Sequence, residues 1–315
     1  MIRVSASGYD GPVNSPILEC VPNVSEGRDQ RVLDRLADAI RAVAGVRLAD
    51  IHSDPAHHRS VFTFLGEPDA VEAATLALAG AVFQRVDMRR HHGVHRRIGA
   101  LDVVPFVPLR DMTMDDAAAR ARTVGERLGR IHGLPVYFYG AAATTPARRA
   151  LPTIRAGEYE GLPVRLADPA WPPDAGPARF VPEKGATAVG ARDILVAYNV
   201  WLDSADVDAA RAIARAIRES SGGLPKLQAL GLLLARQGLA QVSMNLLDYR
   251  VTSLARAFDA VQSEASRRGI AINRGELVGL APRAAFEGRE PASVGLADMR
   301  PEQYLERHLD PPGRP

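Results

Sequence analysis

The 315-residue chain has one cysteine, few aromatic residues and no long apolar run, and each shortage excludes a class of protein. A lone thiol, Cys20, closes no internal disulfide and builds no thiolate metal site, so a reducing cytoplasm is the expected compartment. Aromatic residues make up only 5% of the chain. Without a base-stacking motif, that is too little for a sheet that reads single-stranded RNA. No apolar stretch approaches the roughly 20 residues that span a bilayer. Charges of the two signs nearly cancel, leaving a net +2, so no global field favours nucleic acid. The expected partners are small molecules, with neither nucleic acid nor membrane among them. What is present is the composition of a soluble globular protein, 46% hydrophobic and 24% charged, at a length that suits two domains.

The basic residues matter locally. Val86 to Asp102 holds three of the eight histidines and four arginines, with few apolar positions. A stretch this basic between two apolar runs is either an anion site or a solvated loop. Histidine titrates near neutrality, and neighbouring arginines that depress its pKa leave a base ready to take a proton. Transfer of a group onto an amine requires such a base. Three histidines within five residues also suggest a metal, but no acidic or cysteine partner stands at a familiar ligand spacing, so no metal is expected.

Periodicity gives an α+β chain with an internal repeat. Ile17 to Val24 reads as a strand, Asp29 to Val43 as a helix, Val46 to Ile51 and Ser60 to Leu65 as strands, Pro68 to Val86 as a helix and Leu101 to Pro108 as a strand. This βαββαβ order is that of ferredoxin-like folds. A helix from Met114 to Ile131 and a strand from Pro135 to Tyr139 extend it. Leu162 to Gly190, rich in proline, glycine and alanine, reads as an irregular linker anchored by Trp171, Phe180 and Val181. The order then recurs: strand Ile194 to Leu202, helix Ser204 to Glu219, strands Lys226 to Leu234 and Ala240 to Leu247, helix Thr252 to Arg268, strand Leu277 to Leu280. The expected organisation is a disordered tail over 1–16, without the apolar core of a signal peptide, subdomains over 17–193 and 194–290, and a mostly peripheral tail over 291–315 with one short helix. Two similar βαββαβ units place a ligand cleft between them.

Several strings carry a family resemblance. They are Glu19-Cys20-Val21-Pro22-Asn23-Val24-Ser25-Glu26-Gly27, His92-Gly93-x-His95 with Arg97-x-Gly99-Ala100-Leu101-Asp102-Val103, and Ile154-Arg155-Ala156-Gly157-Glu158-Tyr159-Glu160. Phe180-Val181-Pro182, Gly185-Ala186-Thr187, Gly190-Ala191-Arg192 and Val242-Ser243-x-Asn245-Leu246-Leu247-Asp248 follow in order. Together they resemble the formiminotransferase family from about Ile17 to Leu280. The resemblance implies two ferredoxin-like subdomains, a homodimer, and transfer of the formimino group from N-formimino-L-glutamate to N5 of tetrahydrofolate, the co-substrate, in histidine breakdown and one-carbon metabolism. It places the catalytic histidine at His95 and the folate-contacting loop on Gly176, Pro177, Ala178, Arg179, Phe180, Val181, Pro182, Glu183, Lys184 and Gly185. Arg59, Arg89, Arg96 and Arg97 are the expected contacts for substrate carboxylates, which a guanidinium fork suits. Rival readings are formyl transfer from 5-formyltetrahydrofolate to glutamate, transfer from a different formimino donor, and a folate-binding protein without activity.

The chain departs from the family pattern around these residues. Val94 and Arg96 flank His95 where the pattern has an acidic residue and a proline, and His52 and His58 replace an acidic residue and an asparagine. Acidic neighbours normally orient an imidazole and stabilise its cation. Asp50, Asp54, Asp87 and Asp102 are the candidates for that role. Taken without the resemblance, His95 reads more readily as a solvated loop histidine, and His91 and His92 as supporting or exposed residues.

Overall fold

A computed structural model describes residues 15–234 and 237–309. The expected N-terminal tail therefore lies, through residue 14, outside the described residues. The chain is α+β and divides into two compact units, one through Arg192 and one from Asp193, each with its own sheet.

In the first unit, β1 (Leu18–Cys20) and β2 (Asn23–Val24) are one strand run broken at Val21-Pro22. Proline has no N–H to give the ladder. Both pieces lie between β4 (Arg59–Gly66) and β5 (Leu101–Pro108) and run antiparallel to each. β3 (Val46–Asp54) pairs with β4 at the edge. Helix α1 (Gln30–Arg41) starts where the Asp29 carboxylate accepts from the N–H groups of Arg31 and Val32, and it buries Leu33, Leu36 and Ile40. α2 (Pro68–Arg85) begins on proline, whose missing N–H costs nothing in a first turn, and buries Val71, Leu78 and Val82. α3 (Met114–His132) has a Thr113/Asp116 capping box and ends at Gly133 with φ +61°.

Beyond α3 the fold departs from expectation. The stretch expected as an irregular linker contains two elements. After β6 (Val136–Gly140) and the one-turn helix α4 (Leu151–Ile154) comes α5 (Leu162–Ala167), and Thr187–Ala191 forms β7, parallel to both β5 and β6 and wholly buried between them. Its Thr-Ala-Val-Gly-Ala sequence carries too little bulk to announce a strand. Its two neighbours, not its propensity, make it one.

The second unit is a four-stranded antiparallel sheet ordered β11-β8-β10-β9, from β8 (Val196–Leu202), β9 (Leu227–Leu234), β10 (Leu239–Leu246) and β11 (Ile272–Val278). Between them run α6 (Val207–Ile217) and α7 (Leu254–Ser266), which bury Ile213 and Ile217, and Leu254, Phe258 and Val261. β11 starts five residues earlier than the apolar pattern suggests, because its first half, Ile272 to Glu276, is mostly polar and carries a register shift. Residues 291–309 are not peripheral as expected. Val294 and Leu296 join the core of this unit, and the short helix α8 (Glu306–Leu309) follows.

Candidate active site

The site grows from a tight hairpin in the first unit. Between β3 and β4 the Asp54 carboxylate accepts from the N–H groups of Ala56 (2.7 Å) and His57 (2.9 Å), an Asx turn that fixes the tip. His58 completes it in the left-handed region, φ +50°. Glu26, just after β2, closes the base: its Oε1 accepts from the backbone of Gly27, Arg28 and Asp29 at 2.7–3.0 Å. The same oxygen lies 3.4 Å from His58 Nε2.

The basic segment folds over this tip. Asp87 caps a short 3-10 turn, Met88–Arg90, and delivers His91 into the interior. The His91 ring stacks on His58 at 4.3 Å and 8°. Its Nε2 donates to the His58 carbonyl at 2.7 Å, and its Nδ1 accepts from Arg97 Nε at 3.2 Å. With both nitrogens engaged and a guanidinium as donor to one, the ring has to be neutral; burial, first among the causes, holds its pKa down to about 4. Gly93 follows against the hairpin backbone, where a Cβ would collide with the His57 carbonyl. Gly99 likewise presses on the Lys184 and Ala186 carbonyls. Only glycine permits both approaches.

This crossing brings His95 to Arg59. Arg59 Nη1 donates to His95 Nε2 at 2.6 Å and to Asn23 Oδ1 at 2.9 Å. His95 Nδ1 is buried without a hydrogen-bond partner. Arg155 stands close by, paired with Asp102, whose other oxygen accepts from the Ile98 N–H at 2.8 Å. Burial first, then Arg59 and Arg155, push the His95 pKa well below the usual histidine value. Burial and Arg155 in turn lower Arg59 to about 10, which leaves it charged at neutral pH. The imidazole is a neutral base among guanidinium charges.

The four arginines expected to meet carboxylates have different surroundings. Arg59 reaches His95. The fork of Arg97 is engaged by Glu160 at 2.6 and 2.8 Å, with Glu158 at 3.4 Å. Arg89 is exposed and pairs with Asp87 (2.7 Å) and Glu183 (2.9 Å). Arg96 is exposed, 4.0 Å from Glu158. An open pocket of about 660 Å³ is lined by Arg96, Arg97, Arg155, His92, Glu158 and Glu160; His95 and Arg59 do not line it.

The segment 176–185 runs within the first unit against the His95 loop. Ala100 N–H donates to the Lys184 carbonyl at 2.8 Å, and Met88 N–H to the Glu183 carbonyl at 3.0 Å. Phe180 packs on Tyr159 at 5.4 Å, and Arg179 is exposed. The residues that replace the family pattern fall in two places. Val94 and Arg96 point outward, and His58 is engaged with His91. Among the described residues the hydrogen-bond partner found on the imidazole is an arginine, not a carboxylate. Asp102 acts one step removed, through Arg155, while Asp54 and Asp87 serve as caps. Arg155 and Glu160 were not singled out from the sequence, although each stands inside one of the recognised strings. Cys20 is buried, which pushes its thiol up to about 12 and makes it no nucleophile. Among the described residues no group of three histidine, cysteine or acidic side chains is placed to hold a metal, and no helix is long and apolar enough to cross a membrane.

Known proteins share this chain's pattern. A family model for the N-terminal subdomain of the formiminotransferase domain matches residues 17–192, and one for the formiminotransferase domain matches residues 197–288. A glutamate formimidoyltransferase of Streptococcus pyogenes serotype M1 is 40% identical over 93% of this chain and 98% of its own length. One of Thermoplasma acidophilum is 42% identical over 93% of this chain and 97% of its own. The formimidoyltransferase-cyclodeaminase of Sus scrofa is 46% identical over 86% of this chain and 51% of its own, so the chain spans about half the length of that relative. With both halves matched in order and this level of identity across most of its length, the chain belongs to the formiminotransferase family.

Proposed function

We propose that the chain transfers the formimino group of N-formimino-L-glutamate to N5 of tetrahydrofolate, with His95 as the proton carrier. The observation that carries this reading is a neutral, largely buried imidazole beside two guanidinium groups, Arg59 and Arg155. The chemistry needs that combination. As N5 bonds to the formimino carbon, His95 takes the N5 proton; as the carbon–nitrogen bond to glutamate breaks, the same proton goes to the leaving nitrogen, giving 5-formiminotetrahydrofolate and L-glutamate. The guanidinium groups suit the donor's carboxylates. The Phe180 and Tyr159 rings and the exposed Arg179 support the reading of 176–185 as the folate-contacting segment, through a flat apolar face for the aromatic parts and a cation for the glutamate tail.

The strand order of the second unit and that of β3, β4, β1 with β2, and β5 in the first support the ferredoxin-like reading of both. A homodimer in the cytoplasm completes the proposal, and sedimentation of the pure protein tests the dimer. The activity is tested by incubating the protein with tetrahydrofolate and N-formimino-L-glutamate, and in parallel with 5-formyltetrahydrofolate and glutamate. We expect turnover with the first pair that disappears in His95→Ala. Turnover only with the second pair, or with neither, overturns the reading.

A further inference from the structure

The contact between Arg59 and His95 has a chemical consequence. A guanidinium carries only donors. At 2.6 Å, Arg59 Nη1 therefore occupies the lone pair of His95 Nε2, and the ring proton sits on Nδ1. In this state neither ring nitrogen takes a proton: Nε2 is covered and Nδ1 already carries one. The base is assembled but closed.

The guanidinium that closes it is poorly matched where it lies. Its two side-chain acceptors, His95 and Asn23, are both neutral, and among the described residues no carboxylate stands within ion-pair distance of Arg59. Arg155 adds a second cation nearby, and although it pairs with Asp102 its buried Nε has no hydrogen-bond partner. Two half-buried guanidinium groups, one with Asp102 and Asp54 acting on it only from beyond ion-pair distance and one with an idle N–H, make a carboxylate a better partner for Arg59 than an imidazole.

We propose that Arg59 is a carboxylate-responsive cap on His95: a carboxylate of the donor draws the Arg59 guanidinium off Nε2, and only then does the lone pair face the reacting amine. The inference rests on the reading of His95 as the base. It makes donor binding a condition for basicity, since the carboxylate both uncovers Nε2 and neutralises the cation that holds the imidazole unprotonated. Arg59 then positions two things in turn, first the imidazole and then the donor.

The test follows the His95 ring nitrogens by NMR in protein labelled with ¹⁵N-histidine, the signals being assigned by their loss in His95→Asn. The probes are glutarate, a dicarboxylate without the reacting group, and L-glutamate. In the free protein we expect Nε2 unprotonated and hydrogen-bonded, with no titration between about pH 5 and 8. On saturation with glutarate, the Nε2 signal moves downfield as its donor leaves, and His95 begins to titrate in that range. Arg59→Met, or Arg59→Leu if the first does not fold, shows the uncapped signal without any ligand. Its KM for the donor rises by about tenfold or more. A proton on Nε2 in the free protein, a His95 signal indifferent to bound glutarate, no binding of either probe, or a variant that matches the wild type overturns the proposal. Retention of turnover by His95→Ala overturns the reading of the base instead, and leaves the cap to be judged by the ring signals alone.

Discussion

His91 and His95 stand four residues apart in one loop and meet opposite fates. The first half of the loop, Met88 to His91, is closed: both His91 nitrogens are hydrogen-bonded, the ring is stacked on His58, and Arg97 behind it is held by Glu160. The second half, Gly93 to Arg97, leaves His95 with one nitrogen covered by the Arg59 guanidinium and the other unpartnered. A fully satisfied polar network makes a rigid scaffold, whereas an incompletely satisfied one is where a ligand can finish the hydrogen bonding. The first half is the wall against which the second is held.

That contrast breaks most sharply at His95. His95→Ala should lower turnover by about 10² to 10⁴-fold, the usual worth of a general base, while the thermal midpoint and tetrahydrofolate affinity change little. An activity within a few-fold of the wild type would make the two histidines alike in being structural.

Gly93→Ala tests the hinge between the halves. The added methyl meets the His57 carbonyl, so the loop has to lift off the hairpin and carry His95 with it. A displacement near 1 Å costs on the order of 10²-fold in rate. Steady-state kinetics should show mostly a kcat effect, and a normal kcat would mean that the crossing does not place the base.

His91→Ala should lower stability by about 1–3 kcal/mol, because Arg97 Nε and the His58 carbonyl lose their buried partner. The same residue gives an acid-sensitive term. Its folded pKa of about 4 lies below the ordinary histidine value, so the unfolded chain binds the proton more readily. The stabilisation is complete above about pH 6.5, falls as the pH drops toward 4, and changes no further below that. Melting curves across this window should therefore be flatter in His91→Ala than in the wild type. Parallel curves would show that His91 is not the group being protonated.

A smaller effect concerns the segment 176–185. Tetrahydrofolate should slow its amide exchange, and N-formimino-L-glutamate alone should do so weakly. Equal protection by both, or by neither, would make it a structural strap of the His95 loop, a role its bonds to Met88 and Ala100 already fit. Least of all, Arg96→Ala should leave stability within about 0.5 kcal/mol, since the side chain is exposed and its ion pair is long. A modest rise in donor KM that vanishes at high salt is the expected sign of its charge at the pocket.

Much of this was legible in the residues themselves. The helical faces at Leu33, Leu36 and Ile40 and at Leu254, Phe258 and Val261 are buried as their spacing requires, because each helix has one apolar stripe and one way to hide it. β7 was not legible, nor were Val294 and Leu296 in the core of the second unit. Small residues and short turns carry no periodic signal, and their burial comes from neighbours far away in sequence. His95 stood out by its place in a recognised string, but Arg59 was one basic residue among several. Nothing local marks it as the arginine that reaches the imidazole.

Residue patterns alone were enough for the α+β class, the repeat of strands and helices and the family, since each is written in local patterns or contiguous strings. Which charges meet was set by the folded chain. Arg97, two residues from His95, is locked to Glu160, while Arg59, distant in the chain, covers the imidazole. The reason is geometric: the β3–β4 hairpin and the basic loop cross at Gly93, and a crossing of two backbones sets side-chain partners that no spacing along one chain encodes.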